Sequence, residues 1–367
     1  MHFLPSNIIS WFSILAYYCF CGSILLGQNL ILTLIGSLCA TVFPLYRTYQ
    51  TQHLNVWTLT LSVFMIVGAF MNTMISTNGI GGCLVIAGVI SMADYIVRNP
   101  ARMLVHARNM YIVYVFVFSY LILLKEIDPN EIYIGMSRNY LGLILVFFHV
   151  FYCFLLYITQ HKFNFLILIP SVILAVTFVG RSSIGAIGML LIIHLFILLR
   201  SVHFIYKLLI VALISIIVYN NFSDLELLYL ASSFNGHGLD TPRYEIWSQF
   251  FHKSDLFTYI LGMDTLSIPL IAEYFGNVHN GFINILARTG IGFSVFLILF
   301  IYSLHRIVKY RDFFILSLLV IISFRTFFDT GIFIGNLGFI FYSVLLYPLS
   351  DSFTIHYKNL KQNNLQQ

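Results

Sequence analysis

The chain alternates between long apolar stretches and short polar breaks over nearly its whole length. A helix of about twenty apolar residues spans the hydrocarbon core of a bilayer. Twelve stretches have this character, and we expect them at 8–26, 28–46, 56–75, 79–97, 109–125, 139–158, 163–180, 183–199, 203–220, 289–305, 313–328 and 331–349. The pattern predicts an all-α polytopic membrane protein with about twelve transmembrane helices.

The longest polar stretch, 220–280, lies between the ninth and tenth predicted spans. We expect one transmembrane domain, 1–349, with this stretch as a single large external loop, followed by a polar cytoplasmic tail at 350–367. Inside the loop, Thr241 as a cap and Pro242 in the first helical position predict a helix. Its expected apolar face contains Tyr244, Trp247, Phe250 and Phe251. These aromatic rings can lie at the lipid headgroups or stack on sugar rings.

The segment 277–300 passes from polar to apolar sequence. Asn280, Asn284 and Arg288 recur every four residues, so they share one helical face, and Gly290 and Gly292 interrupt the pattern. The spacing predicts a short amphipathic helix on the membrane surface, followed by a transmembrane span.

Composition supports a membrane protein, since 59% of the residues are hydrophobic and only 9% are charged. Nucleic acid is not an expected partner, because the chain has no basic run. All five cysteines lie in apolar stretches and are interpreted as small core residues, with a redox or metal pair at Cys19 and Cys21 as the alternative. We expect no cofactor and no metal site. The first apolar run lacks a preceding Lys or Arg and a cleavage site, so it is expected to be retained as a span.

The distribution of charge predicts the orientation. With the N-terminus in the cytoplasm, twelve of the 19 Lys and Arg residues lie inside and eleven of the 14 acidic residues lie outside. This is the bias that the positive-inside rule describes. Both termini are therefore expected in the cytoplasm, and the long loop is expected on the external, periplasmic side.

Five arginines depart from this rule on the outer side: Arg138, Arg181, Arg243, Arg288 and Arg325. Arg138 and Arg181 each open a predicted helix, with Ser137 and Ser182 as expected caps. A helix N-terminus beside a guanidinium group favours a phosphate ligand. A cluster of this kind suggests a multiply charged anion at the outer leaflet.

The alternative for each arginine is a structural ion pair. Asp329 is a suitable partner for Arg325, and Glu131 for Arg138. Arg325 lies near the outer end of an apolar span, where an unpaired charge is costly.

His279 is the histidine closest to the predicted amphipathic helix, whereas His237 and His252 lie elsewhere in the loop. An imidazole can accept a proton from a hydroxyl nucleophile near neutral pH, or it can bind a phosphate. Asp224 and Glu226 have the spacing of an acidic metal-binding pair and are interpreted as solvated surface. No phosphate-binding Gly-Lys-Ser/Thr loop and no His-Glu-x-x-His motif occurs in the sequence.

The segment VHNGFINILARTGIGFSVFLIL resembles the His-Asn segment of the O-antigen polymerase and O-antigen ligase superfamily. Further similar segments follow the same order: SRNYLG at 137–142, GRSSIGAIGML at 180–190, TPRYEIW and YILGMD within 241–264, and FRTFFDTGIFIGNLGFIFY at 324–342. The resemblance covers most of the chain and depends on the joint order of these motifs.

This resemblance implies an inverting, metal-independent glycosyltransferase of the bacterial inner membrane that uses undecaprenyl-diphosphate-linked oligosaccharides. Arg181 and Arg243 would stabilise the departing diphosphate, and His279 would orient it or activate the acceptor hydroxyl. The candidate substrate-binding residues are Arg138, Asn280, Arg288, Arg325, Trp247 and Asp329. At Arg288 the chain departs from relatives that carry a carboxylate there.

Within the superfamily, the segment at 324–330 and the compact loop favour a polymerase over a ligase that transfers glycan to the lipid A core. A polymerase would act on membrane lipid-linked repeat units, with a chain-length regulator protein as a candidate partner. A lipid-oligosaccharide flippase or sugar transporter is the alternative from another class, since twelve spans suit it too.

Overall fold

The computed structural model describes residues 6–49, 55–76, 80–133, 138–178, 180–199, 243–330, 332–355 and 357. It is 82% helical, and no strand occurs in the described ranges. The prediction of an all-α fold is confirmed.

The first part of the fold contains α1 Ser6–Leu25, α2 Leu30–Tyr49, α3 Val56–Asn72, α4 Gly81–Arg98, α5 Pro100–Ser119, α6 Arg138–Gln160, α7 Leu168–Thr177 and α8 Arg181–Leu198. A π-helical turn, Tyr120–Leu124, extends α5, and a 3-10 turn, Phe165–Ile167, precedes α7. The second part contains α9 Arg243–Lys253, α10 Leu256–Leu261, α11 Pro269–Glu273, α12 Gly281–Thr289, α13 Ile291–Tyr310, α14 Phe313–Phe327 and α15 Gly338–Leu346.

Six helical segments of the described chain are long and apolar enough to cross a membrane: Ile8–Leu25, Leu30–Arg47, Gly81–Arg98, Pro100–Leu124, Arg138–Gln160 and Ile291–Tyr310. The other apolar helices are shorter, at 10–17 residues. The chain is therefore a membrane-embedded helical protein. The predicted span 203–220 lies outside the described residues, so the count of twelve spans stays a prediction, as does the orientation.

Helix α6 is the centre of the core. Every residue from Leu141 to Leu156 is buried, because α5, α7, α8, α14 and α15 surround this helix. A helix that is apolar all round requires such an environment. Helices α5 and α13 have the opposite character, with Phe116 73% exposed and Ile298 65% exposed. These exposed apolar side chains form the surface expected to face lipid.

Helix α12 differs from the surface helix that the sequence predicted. Its apolar residues are buried on several sides, and Asn284 is buried with them, because α3, α10 and α14 pack around it. The predicted break is confirmed: Gly290 has φ +46°, and a Cβ there would lie 2.3 Å from the Ile260 carbonyl oxygen. Glycine is therefore required where α12 turns into α13.

The described part of the expected external loop, 243–280, is folded. Helices α9 to α11 enclose a small apolar cluster composed of Ile246, Phe250, Met263, Ile268, Ile271, Val278, Ile283, Leu286 and Ala287. The apolar face of α9 is centred on Ile246 and Phe250, whereas Tyr244 and Phe251 are exposed. The predicted face is therefore confirmed for Phe250 and for Trp247, which packs against the cluster, and wrong for Tyr244 and Phe251. Thr241 and Pro242 lie outside the described residues.

The cysteines match their interpretation as core residues. All five are free thiols, and four of them are buried. Cys19 and Cys21 form no disulfide. Residues two apart do not face each other on a helix, so their positions in α1 disfavour the redox pair.

Candidate functional site

Four chain segments meet at one end of the bundle: the starts of α6 and α12, the end of α14, and α9. Gly281, the first residue of α12, permits the closest approach. A Cβ at this position would lie 2.5 Å from Thr326 Cγ2 and 3.1 Å from the Asp329 carbonyl oxygen. The absence of a side chain thus brings the loop containing His279 against the end of α14.

Two asparagines fix the backbone around His279. Asn280 caps α12, where its side chain accepts hydrogen bonds from the Phe282 and Ile283 N–H groups. Asn277 Oδ1 accepts the His279 N–H at 2.8 Å and the Thr330 hydroxyl at 2.9 Å. This arrangement stabilises His279 in the left-handed region, with φ +49°.

Arg325 lies beneath this loop and is fully buried. Its Nη1 donates to Asp329 Oδ2 at 2.9 Å, and its Nη2 donates to the Asn139 carbonyl oxygen at 2.6 Å. The guanidinium group therefore joins the end of α14 to the start of α6. Its Nε has no hydrogen-bond partner within the described ranges. The predicted pairing with Asp329 is present, so Arg325 acts on the site by positioning.

Helix α9 covers the other side. The Arg243 guanidinium group lies 5.8 Å from the centre of the Phe328 ring, within the range of a cation–π interaction. Trp247 Nε1 donates to the Val278 carbonyl oxygen at 2.9 Å, and its ring packs edge-on against Phe327 at 5.1 Å. Both contacts orient α9 toward the segment that carries His279.

Two charged residues shape the electrostatic surroundings of His279: Arg243 in α9, and Asp329 in the segment that follows α14. Burial lowers the pKa of His279 below its usual value of 6.5, the positive charge of Arg243 lowers this pKa further, and the carboxylate of Asp329 opposes the shift. The imidazole is therefore neutral at neutral pH and can accept a proton. The opposing contributions also mean that Arg243 and Asp329 lie within electrostatic range of His279.

A small cavity adjoins this site. Its enclosed volume is about 20 Å³, and Thr330, Tyr140, Gln28 and Asn336 are the polar residues among those that line it. Thr330 connects the cavity to the His279 loop through its hydrogen bond to Asn277.

The structure brings together six of the predicted site residues: His279, Asn280, Arg243, Trp247, Arg325 and Asp329. Arg138 is the first residue of α6 and precedes Asn139, and its N–H donates to Asn130 Oδ1 at 3.2 Å. Arg288 lies at the opposite end of α12, where its Nε donates to Asn284 Oδ1 at 3.3 Å. That position is about 10 Å along the helix axis from Gly281, where α12 begins.

Other predictions concern helix starts and loop residues. Arg181 is the first residue of α8, but its side chain is not among those described. The expected Ser182 cap was wrong, because the helix begins one residue earlier with Gly180 in the cap position. His252 is exposed at the far end of α9. Predictions for Ser137, Asp224, Glu226 and His237 concern residues outside the described ranges.

Sequence reasoning missed Asn277 and Thr330. Asn277 precedes His279 by two residues. At this spacing an Asn side chain can accept a hydrogen bond from the backbone N–H two residues later, which forms an Asx turn. That signal was present in the sequence. The bond to Thr330 joins positions 53 residues apart and had no local signal.

Comparisons with known proteins gave no relationship: no family model, no curated protein and no solved structure matches this chain.

Proposed function

We propose that this protein is a membrane glycosyltransferase that joins lipid-diphosphate-linked oligosaccharide repeat units, as an O-antigen polymerase does. The observation that carries the proposal is the group formed by His279, Arg243 and Asp329 at one end of a membrane-embedded bundle. A neutral base beside a permanent cation suits attack by a hydroxyl on a sugar that leaves behind a diphosphate.

In the proposed reaction, the acceptor hydroxyl oxygen attacks the anomeric carbon of the donor sugar. The bond between that carbon and the diphosphate oxygen breaks, and the departing oxygen keeps the electron pair. His279 accepts the hydroxyl proton on an imidazole nitrogen. Attack from the face opposite the diphosphate inverts the anomeric configuration.

Arg243 would stabilise the negative charge that grows on the departing diphosphate. A guanidinium group presents several N–H donors in a plane that matches phosphate oxygens. The carboxylate of Asp329 favours the charged form of His279 and would stabilise the imidazolium ion that forms when the proton arrives. Each of the three groups therefore has a separate task, and none requires a metal ion.

The lipid-linked donor is proposed to be undecaprenyl diphosphate in the inner membrane of a bacterium. It would reach the site from the bilayer, since α5 and α13 expose apolar side chains beside the bundle. Whether the glycan becomes an O-antigen or another surface polymer depends on the repeat unit that the cell supplies.

The direct test uses purified full-length protein and lipid-linked repeat units extracted from cells in which the gene is deleted. We expect a ladder of lengthening products by mass spectrometry. Arg243→Ala should lower the rate about 100- to 1,000-fold, as expected for loss of one charge-stabilising donor. Lys253→Ala, which removes a positive charge from the other end of α9, is the matched control and should retain the rate.

Two results would contradict the proposal. Unchanged substrate with well-folded wild-type protein would favour a transporter, and a full rate in Arg243→Ala would remove the diphosphate role. The deletion strain separates the two branches of the superfamily: surface lipid with a single repeat unit supports a polymerase, whereas loss of all attached glycan indicates a ligase.

A further inference from the structure

Three side chains with metal-ligating atoms converge inside the bundle, away from the His279 site. His149 and Cys153 lie one turn apart on α6, and His194 lies on the facing α8. Their ligand atoms are all within 4.8 Å of one another, and Cys153 Sγ is 3.9 Å from His194 Nε2. All three residues are buried. His149 is ten residues from Asn139, about 15 Å along the helix axis.

The hydrogen bond of His194 fixes its tautomer. His194 Nδ1 lies 2.8 Å from the Leu190 carbonyl oxygen. A carbonyl oxygen only accepts, so Nδ1 carries the proton, and in the neutral ring Nε2 has a lone pair. That lone pair is on the nitrogen nearest Cys153 Sγ.

A chain of hydrogen bonds fixes His149 in the same way. The Tyr111 hydroxyl donates to the Ile167 carbonyl oxygen at 2.5 Å, so it accepts from Ser171 Oγ at 2.7 Å. The single proton of Ser171 is thereby used, and Ser171 Oγ accepts from His149 Nδ1 at 2.8 Å. His149 Nε2 therefore also has a lone pair, and this buried atom has no hydrogen-bond partner in the described part of the chain. An unpaired buried polar atom costs about 1–3 kcal/mol.

We propose that His149 Nε2, Cys153 Sγ and His194 Nε2 bind a soft metal ion, and that this ion is Cu(I). Two imidazole nitrogens and a thiolate are ligands that Cu(I) and Zn(II) accept. Each histidine donates its other N–H to a fixed acceptor, the arrangement that orients metal-binding imidazoles in proteins. The site thus has three ligands and the supporting hydrogen bonds of a metal centre.

The choice of Cu(I) follows from charge. On binding, the thiol proton leaves for solvent, a sulfur–copper bond forms and no electron is transferred. One thiolate and Cu(I) together are neutral, whereas one thiolate and Zn(II) leave a positive charge among apolar helices, where charge is costly. The bound ion would join α6 to α8 at the centre of the core.

The test uses purified full-length protein in detergent, loaded without oxygen from buffered Cu(I) or from Zn(II). We expect one Cu(I) per chain by elemental analysis. X-ray absorption should show one sulfur at about 2.3 Å and two nitrogens at about 2.0 Å, by analogy with Zn sites of the same ligands. This signature comes from the wild-type protein and does not depend on how any variant folds.

Variants then assign the ligands. Cys153→Ser should lose the metal, while Cys21→Ser, which changes a buried cysteine of α1, should keep it. Ser171→Ala removes the acceptor of His149 Nδ1 and should weaken affinity about 10- to 100-fold. No bound metal in the wild type, or equal metal in Cys153→Ser, would overturn the site. One Zn(II) per chain with no Cu(I) would overturn the assignment of the ion.

Discussion

Two Arg–Asp pairs in this protein have the same spacing of four residues but differ in which partner is buried. In the pair Asp94–Arg98 of α4 the acid is buried, and the side chain of Arg98 is 25% exposed. In the pair Arg325–Asp329 the arginine is fully buried, and the side chain of Asp329 is 25% exposed. The exposed partner is the group that remains accessible to other molecules, so the second pair presents a carboxylate and the first presents a cation.

The hydrogen bonds extend this difference. Arg98 Nε donates to both oxygens of Asp94, at 3.1 and 3.0 Å, and the Thr58 hydroxyl is a second donor, to Oδ1 at 3.2 Å. The acid is thus largely satisfied within the protein, as in a structural pair. Asp329 receives one bond from Arg325 and one from the Thr330 N–H, and it lies within electrostatic range of His279. Only the second pair is connected to groups that can perform chemistry.

The largest expected effect is a loss of activity, and it distinguishes the site near the Arg325–Asp329 pair from the Asp94–Arg98 pair. His279→Gln removes the proposed proton acceptor while keeping a polar side chain of similar size. The glycosyl-transfer rate should fall about 100- to 10,000-fold, the usual contribution of a general base. Product formation from lipid-linked repeat units measures it.

Two controls accompany this variant. His252→Gln changes an exposed histidine of α9 and should retain activity, and so should Asp94→Asn at the other ion pair. A rate in His279→Gln equal to that of the controls would remove the histidine from the reaction.

The second prediction compares the stability of the two pairs. Asp329→Asn leaves a fully buried guanidinium group without its counterion, which costs about 3–5 kcal/mol when a buried pair is broken. Asp94→Asn leaves Arg98 without its counterion, but Arg98 already contacts solvent. The free energy of unfolding should therefore fall by only about 1 kcal/mol, as for a partly exposed pair. Unfolding in detergent followed by circular dichroism measures both. Equal losses would mean that burial of the arginine does not distinguish the pairs.

The pH dependence is a third way to test the comparison. The rate needs the neutral imidazole, so it should fall as pH drops below the pKa of His279, which lies below 6.5. Arg243→Gln removes a cation and should move that pKa upward, whereas Asp329→Asn removes an anion and should move it downward. NMR titration of labelled histidines measures these pKa shifts without requiring activity. The His279 signal is identified by its absence from the spectrum of His279→Gln. Shifts of the same sign in both variants would contradict the proposed arrangement.

Much of the helical architecture could be predicted from the sequence, because apolar stretches and helix breaks are local signals. Gly290 ended α12 where expected, and Arg325 paired with Asp329 because residues four apart on a helix are neighbours. The burial of α12 could not be predicted, since it depends on α3, α10 and α14, which are distant in the sequence. Within the site, the link from Asn277 to Thr330 was invisible for the same reason.

The group formed by His149, Cys153 and His194 illustrates the same limit. His149 and Cys153 have a visible spacing of four residues, but the third member is 41 residues beyond Cys153. The apolar sequence around Cys153 predicts a core residue, and its burial confirms that prediction. The orientation of both imidazoles depends on hydrogen bonds that involve Ser171, Leu190 and Tyr111. Ser171 and Tyr111 come close to His149 only when the helices pack together.

The smallest expected effect concerns how α9 is held over the site. Trp247→Phe keeps an aromatic ring against Phe327 but removes the N–H that donates to the Val278 carbonyl oxygen. Loss of one such bond costs about 0.5–1.5 kcal/mol. Val278 directly precedes His279, so the rate should fall by up to about tenfold through a less defined loop, since about 1.4 kcal/mol corresponds to a factor of ten. Trp57→Phe, at the start of α3 against Tyr302, is the matched control and should leave the rate unchanged. If both variants kept the wild-type rate, the contact of α9 with the loop would contribute to folding alone, and Arg243 would reach the diphosphate without it.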